Sequence, residues 1–214
     1  MSAPDELETL AGEAPDSARP RSRALPIAIA VWALVVAGGM GVLMNHAATP
    51  GARAEAPPTW PASDALALDP SLPTLVLVAH PRCTCTRASL SELAVITTRL
   101  AGRIRAYVLF VHPEGVDWDD SDLQRRAESL AGVITVRDEG GREAARFGAA
   151  TSGQTYLYAR DGRLLFSGGI TPMRAHEGDN LGRRRIVALV EGERVDGSES
   201  AVFGCALAER EGGP

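Results

Sequence analysis

The chain has 214 residues, 45% of them apolar, with 27 acidic against 22 basic side chains and a formal net charge of −5. That is enough for one domain of ordinary size with flanking segments, and the basic residues form no long stripe of the kind that tracks phosphates, which argues against a nucleic-acid partner. All 22 of those basic residues are arginine, and the absence of lysine rules out a lysine Schiff base, a Ser-Lys dyad and a P-loop lysine.

Residues 1–24 mix Pro, Ala, Ser and acidic groups with no apolar period and read as a disordered tail. The run from Leu25 to Met44, LPIAIAVWALVVAGGMGVLM, carries no charge. At about 1.5 Å per residue it is long enough to cross a hydrocarbon core of about 30 Å. Arg19, Arg21 and Arg23 precede the run, whereas the first arginine beyond it is Arg53. The positive-inside rule then places residues 1–24 in the cytoplasm and the remainder in the periplasm or outside the cell, tethered by a single-pass signal anchor. A cleaved signal peptide is the alternative, with Ala52-Arg53-Ala54 as its small-residue site. The apolar stretch exceeds the usual core of about 7–15 residues, however, and that site lies well past its end. Either route delivers the domain to a compartment where disulfides persist.

Residues 45–73 form an Ala/Pro-rich linker with Pro50, Pro57, Pro58, Pro61, Pro70 and Pro73. Such a composition predicts an extended, stiff spacer that holds the domain off the bilayer. Trp60 within it suits either the membrane interface or the edge of the domain. From Thr74 the pattern changes. Thr74–Ala79 (TLVLVA) is a continuous apolar run of the kind found in buried parallel strands. Thr86 to Leu100 places Leu90, Leu93, Ile96 or Thr97, and Leu100 on one helical face. Arg105–Val111 reads as a second buried strand, Asp119 or Ser121 caps a helix running through Leu130, and Val133–Val136 is a short third strand or extended segment. A brief helix around Arg142–Phe147 follows. Gln154–Ala159 and Arg163–Ser167 flank Arg160-Asp161-Gly162, a hairpin signal. A helix over Leu181–Glu191, capped by Asp179 or Asn180, precedes an irregular tail. The expected fold is α/β, a mixed central sheet with helices on both faces, over residues 74–214.

The chemistry-bearing run is His80 to Leu90, HPRCTCTRASL. It puts Cys83 and Cys85 between Arg82 and Arg87, where a strand gives way to a helix. Unpaired N–H groups and the positive end of the helix dipole stabilise a thiolate there and lower its pKa. Cys83, the more N-terminal, is expected to be the more exposed. The bland alternative makes both cysteines buried apolar filler. On a helix, positions two apart lie about 200° around the axis, so a bond between these two closes a small strained ring unless Cys83 sits in the preceding loop. A strained disulfide is oxidising and easily reduced.

From Thr74 to Glu191 the chain resembles the thioredoxin-like superfamily, in particular the membrane-anchored periplasmic branch with TlpA-type and ResA-type proteins. The segments HPRCTCTRASLSEL, FGAATSGQTYLYARDGRLLFSGGIT, HEGDNLGR and FGCAL also resemble RedB-type proteins. The resemblance implies a thioredoxin-like fold and thiol–disulfide exchange with exported protein partners, plausible ones being apo-cytochromes or metalloprotein precursors. Two departures stand out. The usual redox pair is C-x-x-C, against C-x-C here, and the superfamily's cis-proline falls near Gly153 or Gln154, where this chain has no proline.

The third cysteine, Cys205, lies in Val202-Phe203-Gly204-Cys205-Ala206-Leu207. Two readings stay open. Phe203 and Leu207 anchor the tail so that Cys205 resolves the pair, or Cys205 makes a permanent staple with Cys83 or Cys85. His80 and His176 are candidates to lower a thiol pKa or to ligate a metal, and a loop role bonded to Asp179 or backbone is the plainer account of His176. His112, at the end of the second strand, reads as structural. Thr151-Ser152-Gly153 is either a plain turn or a source of N–H groups facing the site, and Arg183, Arg184 and Arg185 read as a solvated helix face. The leading function is a membrane-tethered thiol–disulfide oxidoreductase using Cys83, Cys85 and Cys205 without a cofactor. The alternative is a Cu(I)-binding or copper-delivery module of SCO-like type, with ligands drawn from Cys83, Cys85, Cys205, His80 and His176. A third possibility is an interaction module with purely structural cysteines.

Overall fold

In the computed structural model the described residues are 24–52, 54–115 and 121–207. Residues 1–23, with Arg19, Arg21 and Arg23, and likewise Arg53 and Asp119, lie outside them. The chain divides into two units, Met1–Val42 and Leu43–Pro214. The first holds most of helix α1 (Ala24–Ala48), whose 25 residues include no buried one. At about 1.5 Å per residue it has the length, and by composition the apolarity, to cross a membrane.

The second unit is built on strand β1 (Thr74–Ala79), followed by α2 (Thr84–Arg99), β2 (Arg105–His112), α3 (Asp122–Glu128), β3 (Val133–Glu139), α4 (Arg142–Arg146), β4 (Gln154–Tyr158), β5 (Leu164–Gly169) and α5 (Leu181–Glu191). The five strands form one sheet in the order β3-β2-β1-β4-β5. β1, β2 and β3 run parallel, while β4 is antiparallel to both β1 and β5. This is a thioredoxin-like mixed sheet, as the motifs implied. β1 has neighbours on both sides and layers on both faces, so all six of its residues are buried, and the strand is apolar throughout.

The period of two along the strands sorts the core into two layers. Leu75, Leu77 and Ala79 pack with Leu90, Leu93 and Ile96 of α2, Leu123 of α3 and Ile186 of α5. Val76 and Val78 face the other way, against Phe147, Tyr156, Tyr158 and Leu66. Helices were expected on both faces, but this second face has only the five-residue α4. The Ala/Pro-rich segment completes it. Leu66 is buried there, and Trp60 packs edge-on against Phe147 and Tyr158 with ring centroids 5.2 Å apart in each pair. Backbone bonds fasten the same segment, from Trp60 N–H to Gly162 O (2.7 Å) and from Leu164 N–H to Pro58 O (2.9 Å). The tyrosine hydroxyl of Tyr158 donates to Pro57 O at 3.1 Å. The stretch read as a free spacer is therefore a covering layer from about residue 56 onward. A helix too short to shield Phe147, Tyr156 and Tyr158 leaves apolar surface, and covering that surface outweighs the freedom of an extended chain.

Element boundaries differ where side chains say little about backbone pairing. β3 was expected to stop at Val136 but pairs with β2 as far as His112↔Glu139, because main-chain bonds hold an edge strand whatever its side chains. Its polar end has a purpose. Asp138 is buried and accepts from the N–H groups of Glu143 (2.9 Å) and Ala144 (2.8 Å), which caps α4. Ser121 caps α3 by accepting from Gln124 N–H at 3.1 Å, and Asn180 caps α5 by accepting from Arg183 N–H at 2.8 Å.

Candidate functional site: a three-sulfur cluster

β1 delivers the chain to the site, and α2 starts two residues earlier than its apolar period indicates. Cys83 is the N-cap of α2, in extended conformation at φ −92° and ψ 123°, and Cys85 is the second residue of the helix. Cys83 therefore lies off the helix, so the 200° separation expected of two helical positions does not apply. A hydroxyl pair fixes the junction. Thr86 Oγ1 donates to His80 O at 3.0 Å and lies 3.0 Å from Ser152 Oγ, which accepts from His80 N–H at 3.0 Å.

The tail supplies the third sulfur. Ser152 N–H donates to Cys205 O (2.8 Å), Leu207 N–H donates to Ala150 O (3.0 Å), and Thr151 and Ala206 form an antiparallel bridge. Val202 is buried and Leu207 packs on the second core layer, so Val202 takes the anchoring role expected of Phe203. Gly204 passes so close to the loop that a Cβ on it would lie 1.8 Å from Ser152 O; only glycine fits there. Gly153, at the start of the hairpin, has φ +93°, a region glycine enters without strain. Among the described residues there is no cis peptide bond.

These elements bring all three predicted site cysteines together. Their sulfurs lie within 4.8 Å of one another, and Cys83 and Cys205 are 2.9 Å apart. Exposure reverses the expectation, for Cys83 and Cys85 are buried and Cys205 is exposed. The tail brings Cys205 against Cys83 at the N-terminus of α2. Cys83 also contributes to the floor of an open depression of about 520 Å³, beside Arg82, Arg87 and Asp122.

The three thiols are not equivalent. A hydrogen bond from Cys85 holds the Cys83 thiol down at about 4, with a second from Cys205 and backbone N–H groups outweighing the opposing burial. Cys85, as the donor, is pushed well above the ordinary thiol range, first by that bond and then by burial and the neighbouring charge. Desolvation, followed by the bond to Cys83, pushes Cys205 up to about 11. Near neutral pH the cluster is one thiolate held by two S–H donors. Histidine is not among the main causes of the Cys83 shift. Burial lowers His80, which leaves it neutral above its ordinary range, and His176 is exposed with Nδ1 2.6 Å from Arg174 O. Neither histidine, nor buried His112, joins the sulfur cluster among the described residues.

Three features escaped the sequence reading. Arg174 donates through its backbone to Ala47 O (3.0 Å), through Nε to Thr49 O (3.2 Å) and through its guanidinium to Gly204 O. Ala175 has φ 56°, and its backbone N–H reaches Cys85. Glu92, on the inner side of α2, is buried and accepts from Gly178 N–H (2.7 Å), Asn180 Nδ2 (3.1 Å) and Arg183. Arg183 is thus paired inward rather than solvated, while Arg184 and Arg185 point outward to Asp179 and to the carbonyls of Glu199 and Asp196. A carboxylate on the apolar side of α2 was the available sign of the Glu92 network. For Arg174 there was none beyond its place in a loop.

No protein-family model matches the chain, and no curated protein matches it. Among solved structures it is similar to a hypothetical protein from Sinorhizobium meliloti 1021, at 21% identity and a TM-score of 0.55, covering 77% of this chain and 96% of the other. An uncharacterized conserved protein from Geobacillus kaustophilus is similar at 16% identity and 0.55, over 78% and 95%. A secreted disulfide oxidoreductase of Mycobacterium tuberculosis overlaps at 12% identity and 0.40, over 58% and 84%; so partial an overlap transfers no activity. These likenesses speak to the fold alone.

Proposed function

We propose that this protein is a membrane-tethered thiol–disulfide oxidoreductase that oxidises thiols of exported protein partners. The observation that carries the reading is the 2.9 Å approach of Cys83 and Cys205 beside a Cys83 thiolate. Stabilising a thiolate stabilises the reduced form, which makes the corresponding disulfide a strong oxidant. The motif resemblance to TlpA-type, ResA-type and RedB-type proteins supports exchange chemistry, and the arginines before the apolar run support a periplasmic or extracellular domain.

The test is a redox titration of the full chain in detergent micelles against defined thiol–disulfide buffers, with mass-spectrometric disulfide mapping at each poise. A reversible two-electron transition involving Cys83, between about −300 and −100 mV, is the expected result. A chain whose thiols never cycle in that window is not an oxidoreductase.

A second reading, a Cu(I) site, is favoured by one observation, the three sulfurs within 4.8 Å. Cys83, Cys85 and Cys205 would then be the ligands, since soft thiolates suit Cu(I), and His80 and His176 would not be among them. Stoichiometric Cu(I) uptake that survives a competing chelator is its test; loss of all copper to the chelator ends it.

A further inference from the structure

The reactive sulfur and the accessible sulfur are different atoms. Solvent reaches only 3% of Cys83 and 4% of Cys85, whereas Cys205 is exposed. We propose that Cys205, on the docked tail, is the sulfur that exchanges with partners, and that the oxidised domain carries a Cys83–Cys205 disulfide. This deepens the oxidoreductase reading and rests on it.

The step balances without any further reagent. A partner thiolate attacks Cys205 Sγ; the partner–Cys205 bond forms, the Cys83–Cys205 bond breaks, and the electron pair leaves on Cys83 as a thiolate. The partner's second thiol, having given its proton to solvent, then attacks the partner's own sulfur in the mixed disulfide. Cys205 leaves and takes up a proton. The partner dithiol loses two electrons to become a disulfide, and the domain's disulfide gains them.

Three features support this order. Cys205 is exposed to solvent, whereas Cys83 is 3% exposed. Attack at Cys205 also expels the better leaving group, because the Cys85 S–H and the backbone N–H groups around Cys83 are already in place to receive its negative charge, while attack at Cys83 would expel the poorer thiolate of Cys205. Finally, Cys205 is fixed by its backbone. The bonds to Ser152 and Ala150, the Gly51 N–H donated to Val202 O at 2.8 Å, and the fit of Gly204 over Ser152 O hold the tail in register while its sulfur changes partners. Cys85 then serves as a positioning residue whose S–H orients and steadies Cys83; it is not the resolving thiol.

The experiment uses the full chain in detergent, oxidised with diamide and mapped, then exposed briefly to limiting glutathione, quenched in acid and mapped again. Glutathione has no second thiol to resolve the mixed disulfide, and the acid quench, taken below about pH 4, protonates Cys83 and traps the adduct before Cys83 expels it. The expected result is a Cys83–Cys205 bond before exposure and, after it, a glutathionyl group on Cys205 in more than about tenfold excess over Cys83. A glutathionyl group chiefly on Cys83, or a Cys83–Cys85 bond in the oxidised chain, overturns the inference while leaving the oxidoreductase reading standing. If diamide forms no disulfide that glutathione can open, both fall together.

Discussion

The two segments that supply sulfurs are held in opposite ways. Residues 80–86 are locked into the core by the Thr86–Ser152 hydroxyl pair and by a helix whose inner face is buried. Residues 202–207 are held on the surface by single backbone bonds, one buried valine and one arginine. The rigid segment sets the charge on the leaving thiolate, and the surface segment sets which sulfur a partner reaches. Two demands that conflict at one sulfur, being desolvated enough to be tuned and exposed enough to react, are divided between two.

Removing the rigid partner breaks that division most severely. Cys83→Ser should reduce oxidation of a test dithiol to the uncatalysed rate, with far-ultraviolet circular dichroism unchanged; retained turnover would show that the tail acts alone. Gly204→Val should break it from the other side. A side chain there meets Ser152 O, so the tail lifts, and alkylation of Cys83 should accelerate toward that of a free peptide cysteine while the mixed disulfide with glutathione shifts to Cys83. Unchanged protection of Cys83 would mean that the tail is not what covers it.

A smaller effect comes from the donor behind the thiolate. Reduced protein should show thiolate absorbance in the ultraviolet with a midpoint near pH 4, absent in Cys83→Ser and moved upward in Cys85→Ser, since Cys85 is the strongest donor to Cys83. The sign for stability follows from that depressed pKa. The thiolate's contribution to the reduced fold is complete above the ordinary thiol range and is lost as the pH falls through about 4. The smallest effect is a slope. Between about pH 4 and pH 11 one proton should accompany two electrons, so the potential falls by about 30 mV per pH unit, whereas two protons would give about 60.

Continuous apolar runs and strong caps were legible. β1 and α5 have the boundaries that the pattern TLVLVA and the Asn180 cap implied, and the apolar side of α2 is the one its period predicted. The placing of Cys83 and Cys85 at a strand-to-helix switch was legible. The sequence placed Cys205 at the pair in either reading, but which of the two cysteines it meets, and what holds it there, could not be read. Cys205 stands 122 residues from Cys83, and its meeting with Cys83 depends on main-chain bonds to Ala150 and Ser152 that leave no mark on side-chain pattern. The covering role of the Pro-rich segment was hidden in the same way, because Trp60, Leu66 and Leu68 are spaced among prolines without a period. Exposure of the sulfurs was misjudged, since Cys83 is buried beside Cys205 while Cys205 is exposed.

Arg174 fastens the chain where it enters the domain, at Ala47 and Thr49, and where it runs past the sulfurs, at Gly204. One guanidinium therefore works as a mechanical coupling. A displacement of residues 47–49 is passed to the segment carrying Cys205 through a single side chain.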